Sequence, residues 1–270
     1  MQRQLQDIIA ITLFACGLVF APLGAAQPGE LSEYGLATGA SHRVVVVIDG
    51  DTVRLADGNE VRLVGIQAPK LPLGRPGFAA WPLADEAKAA LEEMVLDRQV
   101  TLHYGGRRTD RYGRALAHMV RDDGLWVQSR LLEEGLARVY TFADNRGAVA
   151  GLLAAEKTGR SAARGLWSDP FYRILDHAHA AEGIGGYGLV EGVVTQAAVV
   201  KGRGFLNFGP DYRTDFTISI APEDMGDAFD GIDLDDYVGV PVRVRGWLRE
   251  INGVSIDVTH PEQIESLTEN

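Results

Sequence analysis

The sequence has few of the features that would cross-link the chain or hold it in a membrane. Its 270 residues include a single cysteine, Cys16, so an intramolecular disulfide is excluded. The most apolar stretch, residues 8–20, is too short to span a bilayer comfortably. A disulfide scaffold and a polytopic membrane protein are therefore both excluded.

Positive charge is scarce in the last third of the chain. Residues 174–270 carry 6 basic and 17 acidic side chains, whereas residues 41–173 carry 19 basic and 17 acidic ones. We therefore expect the last third to repel a polyanion and the arginine-rich middle to accept one. The chain as a whole has 46% hydrophobic and 23% charged residues, which is typical of a globular protein.

The first 26 residues have the pattern of an export signal. A basic residue comes before the apolar residues 8–20, and small residues at 24–26 follow them, which predicts cleavage after Ala26. The sequence therefore predicts an exported protein, periplasmic or secreted, with no transmembrane span after cleavage. Two alternatives stay open, an uncleaved N-terminal anchor and a lipid anchor at Cys16.

Turn signals divide the rest of the chain into two β-rich units. Residues 27–42 are small and polar and are interpreted as an N-terminal tail. Residues 43–173 show three strands, a helix, two strands and two helices, with the helices predicted at 84–96, 127–134 and 148–164. This order favours a mainly β fold with helices, an OB-type five-stranded barrel that carries three helices.

A second unit follows the glycine-rich residues 174–188, which are interpreted as a linker. Strand patterns over residues 189–267 again give three strands, an acidic insertion and two strands, which predicts a second small OB-like β-barrel. Because this accessory domain is acidic, we expect it to pack on the first domain or to bind a protein partner.

Three segments of the middle unit combine charged side chains with tight turns. They are IDGDTV at 48–53, RLVGIQAPK at 62–70 and TDRYGR at 109–114. Carboxylate oxygens are the ligands of hard divalent cations, and guanidinium groups bind phosphate oxygens in pairs. The three segments therefore indicate a site for a phosphate-bearing ligand.

In this order and spacing, and with GLARV at 135–139 and GLW at 165–167, the segments resemble the staphylococcal nuclease (thermonuclease) family. The resemblance covers about residues 43–168. It implies hydrolysis of phosphodiester bonds in DNA or RNA with the help of one Ca²⁺. It also implies that Asp51 binds the metal and that Arg62 and Arg114 are the catalytic arginines that hold the phosphate.

The resemblance assigns further contacts at the same site. Tyr112 and Tyr140 are implied to contact the substrate, and ring stacking on a bound base would suit Tyr140 and Phe142. The backbone carbonyl of Ala68 is implied as a metal ligand, and Asp49 is the neighbour that could replace a lost carboxylate.

Two residues depart from the family pattern. Gln67 stands where the family has a second metal-binding aspartate, and Lys70 stands where it has a glutamate that assists attack by water. Gln67 still offers a neutral oxygen as a candidate ligand, but Lys70 brings a positive charge. Losing a positioned acid–base group costs ~10²–10⁴-fold in rate. We therefore predict weak Ca²⁺ binding and strongly weakened hydrolysis.

Two other interpretations stay open. In the first, the protein is a non-catalytic module that uses Arg62, Arg114 and Lys70 to hold a phosphate or nucleic acid without cutting it. In the second, it is a cell-envelope interaction protein recruited through its acidic domain. The second interpretation predicts that alanine at both arginines leaves the cellular role intact.

Overall fold

A computed structural model of the chain describes residue 31 and residues 33–268. The predicted signal segment and Cys16 lie outside these residues. Over the described part of the chain, no helix has both the length and the apolar character needed to cross a bilayer.

A closed barrel forms the first half of the structure. Its strands pair in the order β1, β2, β3, β6 and β5, with β3 and β6 parallel. The elements of this half are β1 (Ala37–Asp49), β2 (Thr52–Leu55), β3 (Glu60–Leu63), β4 (Gly65–Gln67), α1 (Ala84–Val95), β5 (Gln99–Tyr104), β6 (Ala115–Arg121), α2 (Val127–Glu133), β7 (Arg138–Tyr140) and α3 (Val149–Ser161). The prediction of a mainly β fold with a five-stranded barrel and three helices is confirmed.

Alternation of apolar and polar residues accounts for the barrel core. Val53 and Leu55 of β2 are buried, and Arg54 between them is exposed. Side chains i, i+2 and i+4 of a strand share one face, so this alternation directs the apolar set inward. Helix α1 closes the core with a stripe that includes Ala87 and Leu91.

Two very short strands carry no pattern that predicts them from sequence. Strands β4 and β7 form a two-stranded antiparallel sheet, in which Gly65 faces Tyr140 and Gln67 faces Arg138. Each strand has three residues, which is too short for a period-2 pattern to be visible. This small sheet brings residues from distant parts of the chain to one edge of the barrel.

The interpretation of residues 27–42 as a tail is wrong for its second part. Strand β1 begins at Ala37, and Ala37 pairs with Tyr104 of β5. Leu31 and Leu36 are buried in the core of the first half. The small polar side chains of residues 37–42 show no apolar alternation, although their backbone completes the barrel.

The second half repeats the strand order of the first. The sheet runs β10, β11, β12, β14, β13, β9 and β8, with β12 and β14 parallel and β15 paired to β13. Its elements are β8 (Leu175–Asp176), β9 (Tyr187–Val193), β10 (Gln196–Val200), β11 (Arg203–Asn207), β12 (Phe216–Ile220), α4 (Pro222–Met225), β13 (Pro241–Glu250), β14 (Val254–Val258) and β15 (Ile264–Ser266).

Consecutive strands join the two ends of this second sheet. Strand β9 pairs with β13 and β10 pairs with β11, and only residues 194–195 separate β9 from β10. The sheet therefore curves back on itself and is barrel-like. The apolar residues 189–200 predict a single strand across this break.

The glycine-rich residues 174–188 do not form a free linker. Strand β8 pairs with β9, and a 3₁₀ helix spans His177–Gly183. Leu175 and Ala180 are buried in the second core. Gly183 and Gly188 pack closely against Leu248, and composition alone cannot distinguish such packing from flexibility.

Candidate functional site

The turn between β1 and β2 places Asp51 at the centre of a charged cluster. The Asp51 side chain is fully buried, and its Oδ2 atom lies 2.7 Å from Lys70 Nζ and 3.1 Å from an Arg62 guanidinium nitrogen. The Ala68 amide donates a hydrogen bond of 2.8 Å to the same oxygen. One carboxylate oxygen is thus surrounded by two cations and a backbone donor.

These neighbours determine the ionisation of Asp51. Burial pushes the pKa of Asp51 upward, but the charges of Arg62 and Lys70, together with the hydrogen bonds from Lys70 and the Ala68 amide, hold the pKa at about 2. Asp49 accepts a hydrogen bond from the Asp51 amide. Burial, and then the charge of Asp51, raises the pKa of Asp49 above its ordinary value. Asp51 therefore loses its proton at a lower pH than Asp49.

Strand β3 directs Arg62 from the barrel toward this cluster. Val61 and Leu63 on either side are buried in the core, so Arg62 points to the opposite face. Its guanidinium group donates to the carbonyl oxygens of Leu63 and Ile66 as well as contacting Asp51. These contacts fix the orientation of Arg62 before any ligand binds.

A basic turn fixes Arg114 in a similar way. Asp110 accepts hydrogen bonds from the backbone amides of Tyr112 and Arg114 through Oδ1. Its Oδ2 atom lies 2.7 Å from Arg114 Nε. The motif TDRYGR therefore folds into a carboxylate-capped turn that holds its last arginine. Sequence reasoning missed Asp110, although its position four residues before Arg114 was visible.

A cavity of 490 Å³ brings Arg62 and Arg114 to the same space. Tyr112, Tyr140 and Phe142 also line it, with Tyr112 70% exposed. Two oriented guanidinium groups beside aromatic rings can bind phosphate oxygens and stack on a base. The residues predicted to contact a substrate therefore lie together.

Gln67 is engaged elsewhere. Its side-chain oxygen accepts two hydrogen bonds from the Arg138 guanidinium group, at 3.1 Å and 2.8 Å. To ligate a metal, this oxygen would have to leave a buried arginine, so the geometry counts against Gln67 as a ligand. Sequence reasoning missed Arg138 as its partner because the two residues are 71 positions apart.

The cluster does not fit a hard divalent cation. The cationic groups of Lys70 and Arg62 already contact Asp51 Oδ2, and the Ala68 amide donates a hydrogen bond to the same atom. Over residues 31 and 33–268, no three His, Cys, Asp or Glu side chains are grouped as ligands. Such a cation requires several oxygen ligands, so Ala68 and Asp49 as ligands stay predictions without geometric support.

The Lys70 ammonium group supplies the positive charge beside Asp51 that a bound metal ion would otherwise provide. The side chain is mostly buried, and burial lowers the pKa of Lys70 although the nearby Asp51 carboxylate opposes this effect. Lys70 is not among the residues that line the cavity with Arg62 and Arg114. Lys70 therefore contacts Asp51 without lining the ligand space.

Comparison with known proteins places the site in a family context. The family model for staphylococcal nuclease homologues matches residues 60–169, which include Arg62, Lys70 and Arg114. An uncharacterized endonuclease of Escherichia coli is 35% identical over 130 residues, covering 47% of this chain and 76% of that protein.

Two further relatives carry names of the same kind. The thermonuclease of Staphylococcus hyicus is 28% identical over 148 residues, or 53% of this chain and 86% of that protein. The SPbeta prophage-derived endonuclease YokF of Bacillus subtilis is 34% identical over 130 residues, or 46% of this chain and 43% of that protein. The family match ends at residue 169, so strands β8–β15 lie beyond it.

Proposed function

Because the chain belongs to the family of staphylococcal nuclease homologues, we propose that its first barrel binds nucleic acid with metal-assisted cleavage strongly weakened. The observation that carries this proposal is the Lys70 ammonium group, 2.7 Å from Asp51 Oδ2. It neutralises the carboxylate that would attract a metal, while the arginines at the cavity keep their orientation.

The arginines supply the binding chemistry. Arg62 and Arg114 line one cavity, and each is oriented by oxygen acceptors of the protein. A phosphodiester that enters the cavity meets two preformed cationic donors, so little side-chain ordering opposes binding. Tyr112, Tyr140 and Phe142 provide ring faces for the adjacent nucleoside.

The hydrolytic step lacks its usual support in this arrangement. Attack on a phosphodiester by water is helped by a group that accepts the water proton. Lys70 stands at the position of the family glutamate, and in its charged form it has no lone pair to accept a proton. Gln67 is neutral and bound to Arg138. The site therefore favours holding the substrate over cutting it.

The test measures binding and cleavage of single-stranded DNA by residues 27–270, with Ca²⁺ or with a chelator. We expect the wild type to bind and to cut slowly if at all. Arg114→Ala should weaken binding about tenfold or more, because a charge-assisted hydrogen bond is lost. It should also reduce the slope of log K against log salt by about one.

A double substitution, Gln67→Asp with Lys70→Glu, tests the impairment. It restores the charge pattern of the family, so Ca²⁺-dependent cleavage should appear. Lys88→Glu on α1 is the matched control, since it makes the same change at a lysine paired with Glu92 outside the site. Cleavage by the wild type with Ca²⁺, abolished by Arg114→Ala, would contradict the proposed impairment.

We also propose that the protein is exported. Support comes from the apolar residues 8–20 and the small residues 24–26, which lie outside the described part of the structure. Amino-terminal sequencing of the protein from cell fractions should give Gln27 as the first residue of a periplasmic or secreted form. Recovery with intact Met1 in a membrane fraction would contradict this.

A protein partner for the acidic half stays a prediction. Affinity capture with the Arg62→Ala/Arg114→Ala variant as bait would test it.

A further inference from the structure

Four aromatic rings cross from the first half of the structure to the second. We call Phe142, Tyr140, Tyr187 and Trp247 the aromatic ladder. The ring centroids are 5.0 Å apart from Phe142 to Tyr140, 4.7 Å from Tyr140 to Tyr187 and 6.2 Å from Tyr187 to Trp247. Each contact is edge to face, an arrangement that aromatic pairs favour.

The two ends of the ladder are open to solvent. Phe142 is 52% exposed and Trp247 is 44% exposed, whereas Tyr140 and Tyr187 between them are partly buried. Exposed aromatic rings present free faces on which bases can stack. The outer rings are therefore available as stacking platforms, and the two tyrosines support them.

One end of the ladder lies in the cavity described above. Phe142 and Tyr140 line the cavity that holds Arg62 and Arg114. Strand β7 places Tyr140 beside Gly65 of β4, close to the carbonyl oxygen of Ile66 that orients Arg62. A ligand whose phosphate is held by the two arginines therefore has the first rings of the ladder next to it.

The other end belongs to the second half and is fixed to the first. Trp247 of β13 faces Tyr187 of β9 across the sheet, and its indole nitrogen donates to the Tyr140 hydroxyl at 3.3 Å. The Tyr187 hydroxyl donates to the Val139 carbonyl at 3.1 Å. Hydrogen bonds between the halves thus fix the positions of the rings relative to one another.

A buried ion pair prevents the halves from shifting. Arg245, two residues before Trp247, bonds Glu156 of α3 at 3.0 Å and 2.8 Å, and both side chains are fully buried. Thr141 bonds His260 at 2.7 Å across the same boundary. The ladder is therefore preformed, and its rings need no rearrangement to meet a ligand.

We propose that the ladder extends the nucleic-acid site onto the second half and selects single-stranded nucleic acid. A strand held by its phosphate at Arg62 and Arg114 would stack one base on Phe142 and a later base on Trp247. Duplex bases are already stacked on each other and present no free faces, so a duplex gains nothing from Trp247. This inference rests on the proposed function of the cavity.

Stacking, and not charge, must carry this part of the contact. Arg243, Arg245 and Arg249 lie on the same face of β13 as Trp247, but each forms ion pairs with acidic side chains. The last third of the chain is also strongly acidic. Loss of Trp247 should therefore lower affinity without changing its salt dependence, unlike loss of Arg114.

The experiment measures binding of a thymidine dinucleotide, a thymidine octanucleotide and a DNA duplex by fluorescence anisotropy at several salt concentrations. For Trp247→Ala we expect about tenfold weaker binding of the octanucleotide, because the variant loses the stacking of one base. Dinucleotide and duplex binding and the salt slope should not change. Trp247→Phe retains a ring and should recover most of the affinity.

A matched control removes an exposed ring outside the ladder. Tyr212 is 51% exposed in the second half, and Tyr212→Ala should bind the octanucleotide like the wild type. Tryptophan fluorescence should be quenched by the octanucleotide in the wild type and much less in Trp247→Phe. Circular dichroism and the unfolding midpoint verify that each variant is folded.

The outcomes separate the two proposals. Suppose that Arg114→Ala weakens binding while Trp247→Ala binds the octanucleotide as tightly as the wild type. The proposed role of the aromatic ladder is then wrong, and the proposed function of the cavity is retained. If Trp247→Ala weakens all three ligands equally, the length and strand selectivity are wrong. If the wild type binds none of the three ligands, both proposals are overturned.

Discussion

At the scale of single residues, the candidate site depends on one buried carboxylate. Asp51 has no exposed side-chain surface and is compensated by Lys70 and Arg62. A buried charge is tolerated when partners surround it, and removing one side of the pair leaves the other uncompensated. The cluster therefore acts on stability as well as on ligand binding.

Substitutions in this cluster should destabilise the protein in a definite order. Asp51→Ala leaves two cations unpaired in a mostly buried setting, and we expect a loss of about 3–5 kcal/mol. Lys70→Met leaves Asp51 with Arg62 and should cost about 1–2 kcal/mol. Arg54→Met breaks a more exposed pair with Glu60 and should cost about 0–1 kcal/mol. Urea unfolding measures all three, and the reverse order would contradict the role of Asp51.

Sequence reasoning identified the charged residues of the site but not all of their contacts. Arg62 and Arg114 stand in motifs with recognisable spacing, and they do line one cavity. The contact between Gln67 and Arg138 depends on the pairing of β4 with β7, and no local sequence pattern predicts this pairing. The tight contact of Lys70 with Asp51 also needed coordinates, since motif position alone left Lys70 free to face a ligand.

At the scale of elements, a crossing of two loops joins the C-terminal ends of helices α2 and α3. The Leu166 amide donates to the Gly135 carbonyl at 2.8 Å. A side chain at Gly165 would place its Cβ 2.2 Å from the Gly135 carbonyl oxygen, and Gly165 has a φ of +51°. Only glycine fits this crossing without moving a backbone segment.

Gly165→Ala should therefore cost about 3–4 kcal/mol, because both the backbone conformation and the steric clash are unfavourable. Gly58→Ala is the control, since Gly58 has a φ of +89° but no atom within 4 Å of the position that an alanine Cβ would occupy. It should lose about 1–2 kcal/mol from backbone strain alone. Equal losses in thermal unfolding would show that the crossing is not the constraint.

Elements with long patterns are predictable from the sequence, and short or irregular ones are not. Helix α1, expected at 84–96, spans Ala84–Val95, since its apolar stripe covers three turns. Strands β4 and β7 escape prediction because three residues carry no periodicity. The start of β1 at Ala37 is not predictable from the sequence, because the backbone groups of small polar residues make the pairing.

At the scale of the whole molecule, a buried histidine links the two halves. His260 Nε2 lies 2.7 Å from the Thr141 hydroxyl, and Nδ1 lies 3.0 Å from the Thr259 hydroxyl. Burial lowers the pKa of His260 to about 4. The folded protein therefore keeps this ring neutral at pH values where an unfolded chain, with a histidine pKa near 6.5, binds a proton.

Stability should fall as the pH decreases from about 6.5 to about 4. In that window the unfolded state binds one more proton at His260 than the folded state, so the free energy of unfolding rises with pH. His260→Gln removes this proton, and its slope should be lower than that of the wild type by about 1.4 kcal/mol per pH unit. Urea unfolding at several pH values gives both slopes; identical slopes, or a His260 ring that titrates near pH 6.5 by NMR, would contradict the prediction.

The boundary between the halves is the least predictable part of the fold. Its contacts join residues more than a hundred positions apart, such as Thr141 with His260. The glycines of residues 174–188 predict a linker, although this segment packs in the second half. The strand pattern around Trp247 makes it a candidate core residue. In the structure it is exposed and faces the first half.

The Arg245–Glu156 pair also constrains how this protein can evolve. Each side chain is fully buried and each belongs to a different half, so a substitution of either one alone leaves the other in the interior with one ionic partner fewer, Glu265 for Arg245 or Arg160 for Glu156. The pair can be exchanged for apolar residues only by two changes together. The two halves are therefore expected to accumulate mutations as one inherited unit, and gene fusions that exchange the second half should fail unless α3 changes with it.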